Sequence, residues 1–76
     1  MFDKKDKKHI KPIVEITGNL CYELQKGFRA FVQETGGKGI MTSQVLEIRN
    51  ETTEGVEFET LNTIYKLTYD VAQAAA

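Results

Sequence analysis

From Gly55 to Thr60 the chain reads Gly-Val-Glu-Phe-Glu-Thr, a strict alternation of apolar and charged residues. A period of two suits a strand with one face in a core and the other in water; a helix would scatter these residues around its circumference. Val56, Phe58 and Thr60 form the inner set, and Glu57 and Glu59 the outer. The same period recurs in weaker form at 12–17, 27–35, 39–50 and 63–69, between clusters of Gly, Asn and Thr. Five short strands with short connections predict an all-β fold: a strongly bent five-stranded antiparallel sheet or a small barrel. The alternation places Val14, Ile16, Phe28, Ala30, Val32, Leu46, Ile48, Val56, Phe58, Tyr65 and Leu67 inside. The first strand is expected to stop at Gly18-Asn19.

One segment also reads at helical spacing. Leu20, Cys21, Leu24, Phe28, Phe31 and Val32 form an amphipathic stripe, with Asn19 as an N-cap and Gly36 as a stop. Gly27 interrupts it, at about 1 kcal/mol relative to alanine, and the run from Phe28 to Val32 favours a strand. The reading is therefore a strand or single helical turn at 20–25, a break at Gly27, then a strand. An α+β domain with one helix near 19–34 is the alternative. The neighbouring Thr-Gly-Gly-Lys-Gly at 35–39 lacks the Gly-x-x-x-x-Gly-Lys-Ser/Thr spacing of a phosphate loop, and a strand follows it where a helix would be needed. It suits a hairpin tip.

A chain of 76 residues has room for one small domain and buries only about 60% of its unfolded surface. A deep catalytic cleft is not expected. The organisation read from the sequence is a charged N-terminal tail at 1–11, one β domain at 12–69 and an Ala-rich tail at 70–76. No apolar run is long enough to span a bilayer, and no apolar segment follows the charged start that a secretory signal would need. Cys21 is the only cysteine, so neither an intramolecular disulfide nor a multi-cysteine zinc site is available. The expectation is a reduced, cytoplasmic, non-membrane protein.

Few residues offer chemistry. His9 is the only histidine and lies in the tail, where nothing orients an imidazole. Ser43 lacks the Gly-x-Ser-x-Gly elbow, and Cys21, among Leu20, Tyr22 and Leu24, reads as a buried or half-buried small side chain. No catalytic residue, metal ligand or cofactor site is assigned, and the chain is read as not an enzyme. The charge is asymmetric: residues 1–38 carry +3 and residues 39–76 carry −4, for a net −1. Glu47, Glu51, Glu54, Glu57 and Glu59 form the acidic cluster, with Arg49 placed to compensate Glu57 and Glu59 across a strand pair. They are the candidate surface for a protein partner; an unpaired strand edge could add a partner strand or a second copy. Lys4, Lys5, Lys7, Lys8 and Arg29 are the candidate phosphate contacts of the alternative, nucleic-acid-binding reading.

The stretch 41–67 carries Thr-Ser-x-Val-x-x-Ile followed by Phe-x-Thr-x-Asn-Thr-x-Tyr-x-Leu. In this it resembles small uncharacterised SH3-like β-barrel domains of Gram-positive bacteria and their phages. The resemblance covers about half the chain; it implies a compact barrel and supplies no catalytic residues. Thr60, Asn62 and Thr63 are expected to bond locally to turn backbone. The functional expectation is a small non-enzymatic protein-interaction module, a mobile-element or phage regulator or inhibitor.

Overall fold

The computed structural model describes residues 11–71. Five strands, β1 (Ile13–Leu20), β2 (Arg29–Glu34), β3 (Gly39–Arg49), β4 (Gly55–Thr60) and β5 (Ile64–Tyr69), close into a barrel in chain order. No helix lies between residues 11 and 70, so the stripe at 19–34 is a strand end, a loop and a second strand. Of the expected tails, residues 1–10 and 72–76 lie outside the described residues.

The topology follows from counting. Each hairpin reverses the chain, so strands one and five of a meander run the same way. The four hairpin pairings are antiparallel, and β1 closes on β5 in parallel over Ile13–Gly18. β1 then leaves β5 and pairs with β2 over Gly18–Leu20, so one strand serves two neighbours in succession. Gly18 is the joint, opposite both Glu34 and Tyr69. It does not stop the strand as the sequence suggested. Its glycine is needed for close approach, since a Cβ there would lie 2.3 Å from the Gln33 carbonyl oxygen.

The core is Ile16, Ala30, Val32, Val45, Val56, Phe58 and Leu67, with Leu20, Leu24, Ile40, Ile48, Tyr65 and Tyr69 packed around it. Phe58 and Tyr65 stack with ring centroids 5.2 Å apart. Expected and observed cores differ most along β3. Against β2, β3 takes three steps from Met41 to Gln44 where β2 takes two from Phe31 to Arg29. Against β4, it takes two steps from Val45 to Glu47 where β4 takes one from Thr60 to Glu59. Each extra residue is a bulge that flips the alternation. The inward positions therefore run Thr42, Val45, Ile48, at intervals of three, and Leu46 turns out to solvent. At the first bulge the Thr42 hydroxyl accepts the Ala30 amide at 3.0 Å and donates to the Ser43 carbonyl, so a buried threonine replaces a ladder bond.

Two other expected core residues are exposed. Val14 shares the Ile16 side of β1 but lies near its start. Phe28 precedes β2 in the loop and is 61% exposed. The Thr-Gly-Gly-Lys-Gly segment is a hairpin tip, as expected: Gly36 and Gly37 have φ of 106° and 102°, and Glu34 donates to the Lys38 carbonyl at 2.7 Å.

Candidate interaction surface

The acidic cluster is placed on β3, on β4 and in the hairpin between them. Because Arg49 pairs in register with Glu57, and Glu47 with Glu59, the outer face brings these four together. Arg49 donates to Glu59 at 2.6 Å and approaches Glu57 at 3.5 Å. The compensation read from the sequence is present. Lys11 adds a second cation: its amine meets Glu59 at 2.6 Å and donates to the Thr60 carbonyl at 2.8 Å. It is docked on the barrel, although the sequence put it in the tail. Glu47 faces Lys26 at 3.9 Å. Glu51 and Glu54 stand exposed at the β3–β4 turn. Three of the five carboxylates are thus engaged by the protein's own cations.

These contacts set the electrostatics. The Lys11 hydrogen bond first, and the Arg49 hydrogen bond second, hold the Glu59 carboxyl below the usual carboxylate range, while its bond to Glu59 holds Arg49 above its own. A carboxyl depressed in the folded state contributes stability above its unfolded pKa, and that contribution is lost as pH falls through the folded value. Melting temperatures measured from neutral to acid pH should therefore fall more steeply for the wild type than for Glu59→Gln. Parallel curves would show that the triad has no folding linkage.

Ser43 is half-buried beside the first bulge, and Cys21, expected to be at least half-buried, is exposed. His9, Lys4, Lys5, Lys7 and Lys8 lie outside the described residues. No group of carboxylate, histidine and cysteine side chains among the described residues could hold a metal ion. No helix among them is long and apolar enough to cross a membrane.

A different surface stands out, and the sequence reading missed most of it. The loop between β1 and β2 carries Tyr22 and Phe28, both at least half exposed, and Arg29 follows immediately. Two open grooves meet at Phe28 and Arg29. One, of about 630 Å³, is lined by Tyr22, Glu23, Gln25, Phe28 and Arg29. The other, of about 350 Å³, runs over Gly27, Ser43 and Gln44 to Leu61. Met41 extends the patch, its sulfur 3.7 Å from the Arg29 guanidinium. The backbone beneath is held firmly: Gly27 donates to the Val45 carbonyl at 2.8 Å and Val45 to the Phe28 carbonyl at 2.9 Å. Gln44 caps the Gly27 carbonyl through its side chain, and the Tyr22 hydroxyl caps that of Arg29. The loop therefore presents its rings from a fixed frame.

Comparison with protein-family models, with curated proteins and with solved structures gave no match.

Proposed function

We propose that this chain is a small non-enzymatic protein-interaction module that binds through the Tyr22–Phe28–Arg29 face. The observation that carries this is the exposure of Phe28, Tyr22, Met41 and Leu61, each at least half accessible, around Arg29. Aromatic residues, methionine and arginine are the types enriched at the centres of protein interfaces, and an exposed apolar patch of this kind on a small soluble domain marks a contact site. Glu47, Glu57 and Glu59 are better read as an internally balanced outer face, leaving Glu51 and Glu54 as the accessible remainder of the acidic candidate site. Barrel closure also gives every strand a neighbour on both sides, so no full-length edge recommends itself for strand addition. A regulator or inhibitor of the kind found in bacterial mobile elements and phages, acting in the cytoplasm, agrees with this reading, because such proteins work by contact. The single cysteine agrees with a reducing compartment.

A nucleic-acid-binding barrel is the second reading. Its support is the pairing of two exposed rings with Arg29, since bases stack on aromatics and phosphates pair with arginine. The two readings separate by experiment. Immobilised wild type, Phe28→Ser, and Glu51→Lys with Glu54→Lys would be challenged with cell lysate and with labelled oligonucleotides at two salt concentrations. A protein partner lost on Phe28→Ser and kept on the charge-reversed variant is the expected result. Oligonucleotide binding that falls steeply with salt would favour the second reading. Phe28→Ser is expected to change unfolding free energy by no more than about 0.5 kcal/mol, as exposed positions do; chemical denaturation checks this.

A further inference from the structure

Within the interaction-module reading, on which this inference rests, Arg29 narrows the partner. Arg49, Lys11 and Lys26 each have a carboxylate of this chain in ion-pair contact. Arg29, like Lys38 and Lys66, has none among the described residues; Glu23 lines the groove on the Tyr22 side, whereas in the groove that runs to Leu61 Arg29 is the charged lining residue. The one side-chain bond found for it is to the Met41 sulfur, a weak acceptor that leaves most of its donors available. A guanidinium left open in a groove that Tyr22 and Phe28 also line is suited to a planar carboxylate.

We propose that the partner is an extended acidic peptide segment. One of its carboxylates pairs with Arg29, and an apolar side chain lies in the groove between Phe28 and Leu61.

Four fluorescein-labelled probes test this against the full chain by anisotropy: ten-residue peptides alternating Leu with Glu, with Lys or with Ser, and a ten-nucleotide oligothymidine. The Glu/Leu peptide should bind tightest. Arg29→Glu should weaken it by about tenfold or more, the loss expected for one charge-assisted pair, and should improve the Lys/Leu peptide. Arg29→Gln should fall between, and Phe28→Ser should weaken every peptide. Coincident melting curves would show that the variants are folded. Equal binding of the Glu/Leu and Ser/Leu peptides, both dependent on Phe28 and indifferent to Arg29, would overturn the acidic partner and leave the interaction module standing. Loss of any Phe28-dependent peptide binding would overturn both. Oligothymidine binding tighter than the Glu/Leu peptide would overturn the proposal in favour of nucleic acid.

Discussion

Phe58→Ala is expected to destabilise the domain by about 3–5 kcal/mol, the range for emptying a large aromatic from a packed core. Phe58 is fully buried and is the largest of the side chains that are. It pairs in register with Ile48 on one side and with Tyr65 on the other, so it lies between three adjacent strands. Its ring stacks on Tyr65 at an interplanar angle of 24°, and that contact is lost with it. Small domains hold only about 5–15 kcal/mol in total, so the variant should be partly unfolded at moderate temperature. Chemical denaturation beside Glu57→Ala, whose side chain points outward, provides the control. Equal losses for the two variants would mean that the inner and outer faces of β4 are reversed.

Phe58 also shows why some of this fold was legible in the sequence. β4 has no bulge between Val56 and Thr60, and there the period-two reading placed every residue on its observed face. β5 read equally well, with Tyr65 and Leu67 inward. β3 did not, because a bulge is an extra residue whose position depends on the partner strand. Nothing in "MTSQVLEI" announces that Val45 will displace Leu46. The Thr60 and Thr63 turn was readable because its chemistry is local: the Thr60 hydroxyl donates to the Thr63 carbonyl and accepts the Thr63 amide. The docking of Lys11 on Glu59 joins residues 48 positions apart and has no local signature. The interaction face was hidden for a similar reason. Phe28 keeps the parity of Ala30 and Val32 in sequence, and only the loop geometry at Gly27 turns it to solvent. Tyr22, Met41 and Leu61 come from three separate segments that barrel closure brings to one side.

Gly18→Ala is expected to disrupt the barrel strongly, with a loss at or above the ~1–3 kcal/mol usual for overpacking. A Cβ at this position would lie 2.3 Å from the Gln33 carbonyl oxygen, 2.8 Å from the Glu34 Cα and 3.0 Å from the Gln33 carbonyl carbon. All three are backbone atoms of the strand to which Gly18 must pair, so no side-chain rotation relieves the clash. Relief requires β1 and β2 to separate along a short seam: the pairs Gly18–Glu34, Asn19–Gln33 and Leu20–Val32, flanked by the Thr35 amide on the Thr17 carbonyl and the Cys21 amide on the Phe31 carbonyl. The Gly18 carbonyl also accepts the Asp70 amide at 3.0 Å, and the Asn19 amide group donates to the Asp70 carbonyl, so the chain after β5 is fastened to the same joint. Opening that joint should expose the Asn19 and Leu20 amides to exchange while the β3–β4–β5 ladder stays protected. Hydrogen exchange followed by NMR on Gly18→Ala and Gly36→Ala separates this from a general loss. At Gly36 a Cβ meets nothing within 4 Å and only the positive φ opposes it, a strain of about 1 kcal/mol. Local loss of protection at β1–β2 for Gly18→Ala alone is the expected pattern. Protection falling evenly over all strands would show that the barrel has no separable seam and opens as one unit.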